Sequence, residues 1–220
     1  MTCLLSTTYF GPVQWYQKLN RHALCLIEQH DHFIKQTYRN RCVIATTQGP
    51  QALTVPVEKY VNDVTETRDI RISDHGNWRH LHWNALLSAY GESPFFEFYA
   101  DDIRPFFEQR WTYLLDFNLA ITHKLCELLD IEPELRLTTE YGVDGEDGVN
   151  GVDGVNGEGG KEDLVKNDYR NAIRPKHPLP DASFEPKPYY QVYQQKLGFL
   201  PNLSVLDLLF NMGNEAVLWL

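Results

Sequence analysis

Two clusters of polar and aromatic residues near the start of the chain combine side chains that stack on ligands, bind anions and move protons. The first cluster runs from Tyr9 to Lys18 and follows a predicted strand directly before a helix begins. Ligands of α/β proteins bind beyond the carboxyl ends of strands, and a helix N-terminus offers N–H groups to an anion. We therefore predict that Tyr9 and Trp15 stack against a substrate and that Lys18 supports its charge. A rigid turn with aromatic packing is the alternative interpretation.

The second cluster, residues 30–41, follows an apolar segment that ends in the acid Glu28. In an extended segment Arg39 and Arg41 share a face, and guanidinium groups bind carboxylates and phosphates through paired hydrogen bonds. Glu28 is a candidate general base. A solvated polar loop is the alternative interpretation. The predicted binding residues of this cluster are Lys35, Tyr38, Arg39, Asn40 and Arg41.

A third cluster places Asp74 and His75 a few residues before His80 and His82. Residues two apart on a helix point away from each other, so His80 and His82 do not chelate one ion easily, and no metal site is predicted. His82 lies on the apolar stripe, where it is either a buried structural histidine or a second candidate general base. The sequence has no G-x-G-x-x-G, Walker A, G-x-S-x-G or H-E-x-x-H motif, so the cofactor stays unknown.

The elements that must position these residues alternate between strand and helix patterns. Apolar and β-branched runs predict strands, and stripes of helical period predict helices. Together they predict an α/β fold with a mixed, partly parallel sheet flanked by helices. The predicted strands are Leu4–Tyr9, Ala23–Glu28, Arg41–Thr47, Ala52–Val57, Asp69–Ser73, Leu135–Thr139 and Pro188–Tyr193. The predicted helices are Val13–Asn20, one that begins after Asn77 and ends at Gly91, Ile103–Leu129, and a last one that Ser204 caps.

A hexapeptide that begins Gly-Val-Asp/Asn-Gly is repeated about three times between Gly142 and Gly159. Its spacing fits neither an EF-hand loop nor a calcium-binding β-roll, a β-helix or collagen. Glycine loses much backbone entropy on ordering, so we predict a disordered Gly/Asp/Asn-rich insert. The predicted organisation is a core domain (1–141), the insert (142–160), and a strap with a C-terminal element (161–220) that completes the same domain.

Composition narrows the class of protein further. The chain of 220 residues is 43% hydrophobic, which is enough for a core, and has a formal net charge of −10. This acidic balance argues against nucleic acid and anionic membranes as partners. No apolar run reaches the roughly 20 residues of a membrane helix, and the N-terminus does not look like a signal peptide. The four cysteines form no C-x-x-C pair and are typical of buried thiols in a reducing compartment, so a cytoplasmic location is expected.

Several stretches of the chain resemble the WbqC-like protein family. They are Thr8 to Leu19, Tyr38 to Arg41, Leu53 to Val57, Trp78 with His82, and Phe199 to Phe210. The chain departs from the family pattern at Thr7-Thr8, where a Gln-Pro pair is usual, at Gly11-Pro12, and at Glu28, where Asp is common. Because the family takes its name from surface-polysaccharide gene clusters, the resemblance implies acylation or aminoacylation of an amino-sugar intermediate.

Two hypotheses of function follow. The first is an enzyme of the transferase type that acts on a small polar or anionic substrate, with Glu28 or His82 as the general base. The second is a non-catalytic ligand-binding or scaffold protein, in which the same residues form a recognition surface. The sequence does not distinguish the two, and it leaves the substrate, the donor, the oligomeric state and the role of the insert open.

Overall fold

A computed structural model describes residues 1–62, 64–141 and 167–220 of the chain. The predicted insert, residues 142–160, lies outside the described residues. The strands are β1 (Thr2–Ser6), β2 (Leu24–Glu28), β3 (Arg41–Thr46), β4 (Gly49–Thr54) and β5 (Glu134–Leu137). The helices are α1 (Val13–Arg21), α2 (Trp78–Tyr90), α3 (Phe96–Ile103), α4 (Pro105–Glu108), α5 (Leu114–Leu128), α6 (Gln194–Leu197) and α7 (Val205–Met212). Short 3₁₀ helices cover Thr67–Asp69, His75–Asn77 and Gly213–Trp219.

The parallel sheet has the strand order β1-β2-β5, with β2 in the centre. Leu4 pairs with Leu26, and Ile27 pairs with Leu137, so the three strands point in one direction. Helix α1 connects β1 to β2, as parallel pairing requires a crossover. At the other edge of β1, Asp168 forms a parallel bridge with Leu4. The segment after the insert is therefore attached to the sheet by backbone hydrogen bonds.

Strands β3 and β4 form a separate antiparallel hairpin, in which Arg41 pairs with Thr54 and Thr46 with Gly49. Gly49 has φ of 112°, a conformation that glycine adopts without a steric penalty, so the turn is tighter than predicted. Strand β4 ends at Thr54, two residues before Pro56, which cannot donate a ladder hydrogen bond. The parallel sheet, the hairpin and the surrounding helices confirm the predicted α/β class with a mixed, partly parallel sheet flanked by helices.

The predicted long helix Ile103–Leu129 is wrong, because α3 ends at Ile103 and the chain forms two helices, α4 and α5, in its place. Pro105 lacks an N–H group and begins α4. Between α4 and α5 the backbone bonds elsewhere: Ile72 N donates to Thr112 O (2.9 Å), and Leu114 N donates to Ile70 O (2.9 Å). The same contacts explain a second error: the predicted strand Asp69–Ser73 forms only isolated bridges at Arg71 and Ile72.

The predicted strand Pro188–Tyr193 is also not a strand; the chain there leads into α6 and packs beside α7. Its anchor is Asp207, a carboxylate with no exposed surface. Asp207 Oδ1 accepts from the Tyr90 hydroxyl (3.0 Å), and Oδ2 accepts from the Tyr189 hydroxyl (2.7 Å) and Gln191 Nε2 (2.8 Å). This node fastens the C-terminal segment to α2.

The core joins these elements through aromatic side chains. Tyr9 stacks on Phe117 of α5 (5.7 Å between ring centres), and Phe10 stacks on Phe107 of α4 (5.8 Å). Ser204 caps α7 as predicted, since its Oγ accepts from Leu206 N. In the described part of the chain, no helix combines the length and the apolar character needed to cross a membrane.

Candidate functional site

The carboxyl ends of β1, β2 and β5 lie side by side, because the three strands are parallel. Glu28 is the last residue of the central strand and is fully buried. Its Oε1 accepts from His30 N (2.7 Å) and from Thr138 Oγ1 (2.9 Å), just beyond β5. This edge is where ligands bind in open α/β sheets. The fold therefore fixes a buried carboxylate at the usual position of a site.

The second oxygen of Glu28 accepts no hydrogen bond from the described residues. Among the described residues, no group donates a hydrogen bond to Oε2, and the nearest cation is Arg170 Nη1, at 3.7 Å. Asp168 holds Arg170 in place, with 2.7 Å from Nη2 to Oδ2 and 3.0 Å from Nε to Oδ1. Burying an acceptor that receives no hydrogen bond costs free energy of folding. The missing hydrogen bond at Oε2 therefore indicates a place for a bound water or ligand.

Three further polar atoms around this edge are buried without a partner in the described ranges: Ser6 Oγ, Thr8 Oγ1 and Arg39 Nε. Their residues line one narrow cleft together with Arg170. Its other lining residues are Leu5, Thr7, Trp15, Thr37, Tyr38, Tyr169 and Ile173. The cleft encloses about 10 Å³, which is room for about one water molecule. Ser6 at the end of β1, Thr8 two residues later and the guanidinium groups of Arg39 and Arg170 thus border one small space.

Arg39 reaches the cleft from a loop that is pinned on several sides. Its guanidinium donates through Nη2 to Asp31, and its backbone carbonyl accepts from Asn118 Nδ2 (2.8 Å). The preceding Tyr38 carbonyl accepts from Tyr9 N (2.8 Å). Burial raises the pKa of the Tyr38 hydroxyl to about 12, so this group stays protonated at neutral pH. The loop holds Arg39 rigidly, and its Nε stays available.

Lys18 does not line this cleft and has partners of its own. Its ammonium group donates to Ser183 Oγ (2.7 Å), lies 2.6 Å from Asp181 Oδ2 and sits 4.5 Å from the centre of the Tyr169 ring. Burial lowers the pKa of Lys18, while Asp181 opposes that shift. Burial works in the opposite direction on Asp181, but hydrogen bonds from Lys18 and Ser183 lower its pKa to about 2. Lys18 thus fastens the strap over α1.

His82 and Tyr9 form a buried pair in the aromatic core. The Tyr9 hydroxyl lies 2.8 Å from His82 Nδ1, and the ring of Trp78 packs on His82 (5.2 Å between ring centres). Burial lowers the pKa of His82 to about 4, so the imidazole is neutral at pH 7. Neither residue lines the cleft. This pair occupies the interior behind the site.

The remaining predicted residues are spread around the hairpin and the surface. Arg41 Nε donates to Thr54 Oγ1 (3.0 Å) across β3 and β4, and Asn40 Nδ2 donates to the Val55 carbonyl (2.9 Å). Lys35 is exposed to solvent. The structure therefore brings Trp15, Tyr38 and Arg39 together at the cleft, beside Glu28, and gives Tyr9, Lys18, Lys35, Asn40, Arg41 and His82 other surroundings.

Sequence reasoning missed Ser6, Thr138, Asp168 and Arg170. The position of Ser6 at the end of β1 is a signal that the sequence contains. Arg170 reaches Glu28 only because the segment after the insert pairs with β1, and nothing in the local sequence indicates that pairing. Across the residues that the structure describes, no group of three or more His, Cys, Asp or Glu side chains is placed to hold a metal ion.

The fold and this edge define a class: an α/β protein with a buried carboxylate and unpartnered polar groups at the carboxyl ends of a parallel sheet. A model of the WbqC-like protein family matches residues 7–218, and the chain belongs to that family. It is similar to "Uncharacterized protein Rv1507c" of Mycobacterium tuberculosis (strain ATCC 25618 / H37Rv), with 28% identity over 194 residues, 84% of this chain and 81% of the relative. No solved structure matches the chain.

Proposed function

We propose that the protein is a transferase that binds a small polar or anionic substrate at the carboxyl ends of β1 and β2, with Glu28 as its general base. One observation carries the proposal: Ser6 Oγ, Thr8 Oγ1, Glu28 Oε2 and Arg39 Nε are all buried at one edge of the sheet, without a hydrogen-bond partner among the described residues. A native protein keeps few such atoms, and each one asks for an explanation. A substrate that supplies the missing partners explains all four together.

The geometry suggests a division of roles. His30 N and Thr138 Oγ1 hold one oxygen of Glu28, so the other oxygen is positioned to accept a proton from an amine or hydroxyl. Arg39 and Arg170 suit a carboxylate or phosphate on the substrate. The hydroxyls of Ser6 and Thr8 suit its neutral polar groups.

The family resemblance points to an amino-sugar intermediate as the acceptor and to an activated acyl or aminoacyl group as the donor. In that reaction the amine nitrogen bonds to the carbonyl carbon of the donor. The bond from that carbon to the donor's leaving group breaks, the leaving group departs with the bonding electrons, and Glu28 takes the amine proton. The net charge of −10 supports a small molecule rather than nucleic acid as the partner. The free thiols at Cys3, Cys25, Cys42 and Cys126 support a reducing compartment such as the cytoplasm.

A specific observation favours the alternative, a non-catalytic binding or scaffold protein. The cleft holds only about one water molecule, and the guanidinium of Arg39, which lines it, already pairs with Asp31. A cleft of this volume is too small for a sugar, so a sugar enters only if lining residues move apart. For the transferase hypothesis, the substrate must therefore stabilise an opened form.

The test compares Glu28→Gln with wild type. A thermal-shift panel of amino sugars, nucleotide sugars, amino acids, ATP and coenzyme A identifies a ligand; at about 100 times its Kd, a ligand adds about 2.7 kcal/mol to stability. Glu28→Gln keeps the size and one acceptor of the side chain. We expect turnover to fall at least about 100-fold while the ligand still binds.

Glu134→Gln, an exposed acid at the start of β5, is the matched control and should change neither quantity. Turnover at the wild-type rate in Glu28→Gln would remove Glu28 as the base. A ligand that binds without any turnover in the presence of acyl donors, and whose affinity alone responds to Arg39→Gln, would establish the alternative.

A further inference from the structure

A second cavity, of about 360 Å³, opens between the start of α2 and helix α4, away from Glu28. Among the described residues, none lines both this cavity and the Glu28 cleft. The cavity has two unlike walls. Three arginines, Arg79, Arg104 and Arg110, supply the first wall, and the rings of Trp83 and Phe107 supply the second.

The arginine wall carries more positive charge than its acids neutralise. Arg79 Nη1 lies 2.6 Å from Asp74 Oδ1, Arg104 Nε lies 2.6 Å from Glu108 Oε1, and Arg110 Nη1 lies 3.6 Å from Asp74 Oδ2. Two carboxylates therefore face three guanidinium groups. The hydrogen bonds from Arg79 to Asp74 lower the pKa of that carboxyl, so it stays ionised. The excess charge attracts an anion.

Arg79 is the most buried of the three arginines, with 14% of its side chain exposed. Its Nε donates to the Gln109 carbonyl (3.1 Å), and its guanidinium lies over the Trp78 ring at 4.6 Å. These contacts fix the guanidinium, yet its Nη2 is buried without a hydrogen-bond partner in the part of the chain that the structure describes. A guanidinium that is already held in place beside the cavity loses little freedom when an anion binds.

The aromatic wall is held from behind. Phe107 stacks on Phe10 with 5.8 Å between ring centres and 17° between planes, and Trp83 packs against Phe107 (5.9 Å) and Phe96 (6.0 Å). Trp83 is only half-buried. The guanidinium of Arg104 lies 6.0 Å from the centre of the Trp83 ring, which places the cationic and aromatic groups side by side.

We propose that this cavity binds a nucleotide, with its phosphates on the arginine wall and its base against Trp83 and Phe107. Guanidinium groups bind phosphate oxygens in pairs, and a flat base stacks on aromatic rings. The volume lies within the range of small-molecule sites. Neither feature alone selects a nucleotide, since inorganic phosphate needs no aromatic wall and a neutral ring needs no arginines.

The experiment measures binding of ADP, pyrophosphate and adenosine to the purified full-length protein by titration calorimetry at low salt. We expect ADP to bind at least about tenfold more tightly than pyrophosphate or adenosine. Arg104→Gln should weaken ADP binding at least about tenfold, and Trp83→Leu should remove the advantage of ADP over pyrophosphate. Arg104 is exposed, so its replacement leaves the fold intact. Trp83→Met, which has no ring but is larger than leucine, serves if Trp83→Leu lowers the Tm.

Arg136→Gln is the matched control, because Arg136 also pairs with a surface glutamate, Glu134, but far from the cavity. Its ADP affinity should equal that of wild type. The proposal is overturned if wild type does not bind ADP, if Arg104→Gln binds it unchanged, or if pyrophosphate equals ADP and Trp83 has no effect. Glu28→Gln should bind ADP as wild type does, so this test and that of the transferase proposal fail independently.

Discussion

Glu28 and Asp207 are both fully buried carboxylates, yet their hydrogen-bond partners differ. Asp207 accepts hydrogen bonds on both oxygens, from two tyrosines and Gln191. Glu28 accepts on Oε1 alone, and its Oε2 is without a donor in the described residues. Burial by itself therefore does not identify a site. Asp207, whose two oxygens both accept hydrogen bonds, is called saturated below, and it fastens the fold. Glu28, which has one oxygen that accepts none, is called unsaturated, and it leaves an interaction for a ligand.

The largest expected effect belongs to the saturated carboxylate. Asp207→Ala removes the acceptor of three buried donors, and we expect the free energy of unfolding to fall by about 3–5 kcal/mol. Urea denaturation monitored by circular dichroism measures it. Asp101→Ala, on the exposed side of α3, is the control and should change stability by less than about 0.5 kcal/mol. A loss below about 1 kcal/mol in Asp207→Ala would contradict a fastening role.

The buried Tyr9–His82 pair makes a prediction about the dependence of stability on pH. His82 has a pKa of about 4 when folded and the ordinary value of 6.5 when unfolded. Between pH 6.5 and pH 4 His82 binds a proton in the unfolded chain but not in the folded protein. The free energy of unfolding therefore falls on acidification through this range, by on the order of 3 kcal/mol. Unfolding curves at pH 7, 5.5 and 4 should show the fall, and His82→Gln should reduce it. If turnover, rather than stability, followed a group titrating near pH 4 and needed His82, the imidazole would belong to the site.

A smaller stability change is expected at the unsaturated carboxylate. Glu28→Gln keeps an oxygen for His30 N and Thr138 Oγ1, so the free energy of unfolding should shift by only about 1 kcal/mol. The same urea titration measures it beside Asp207→Asn, which places an NH₂ group opposite buried donors and should lose more. Equal losses of stability would mean that Glu28 fastens the fold as Asp207 does, and would contradict the distinction between the two carboxylates.

The smallest effect is expected at Thr8. Its buried Oγ1 has no partner within the described ranges, so Thr8→Val, which replaces the hydroxyl by a methyl group, should leave stability within about 0.5 kcal/mol of wild type. Affinity for any ligand found in the thermal-shift panel should fall about tenfold. Thr138→Val, which removes a donor that is in use, is the contrasting variant. Unchanged affinity in Thr8→Val would place the ligand away from this wall of the cleft.

The sequence predicts the elements that depend on local pattern. The helix α1 and the strands β2 and β3 agree with their predicted bounds to within a residue or two, since apolar runs and Gly11-Pro12 mark their ends. Helix α2 ends where Gly91 predicts. The prediction of one helix from Ile103 to Leu129 fails because the apolar stripe continues past Pro105, whereas the helical backbone is interrupted before Pro105 and again after Glu108.

The candidate site was accessible to prediction only in part. Glu28 ends β2 and Arg39 lies in the loop between β2 and β3, and both positions can be read from the pattern of predicted strands. Thr138 lies 110 residues from Glu28 along the chain, and Arg170 is further away still, so the contacts that complete the cleft depend on the arrangement of the sheet. Whether an atom such as Glu28 Oε2 has a partner is a property of the packed protein, and a single sequence does not contain it.

The bridge between Leu4 and Asp168 has a further consequence for the length of the chain that precedes it. On one side of residues 142–166 the ring of Tyr141 lies 5.9 Å from the Arg170 guanidinium, and on the other side Asn167 O accepts from Leu4 N. Both ends of the segment are thus held near the same sheet edge. Closing a longer loop between fixed ends costs only about 0.6 kcal/mol for each doubling of its length. A short tag inserted between residues 142 and 166 should therefore leave the sheet intact.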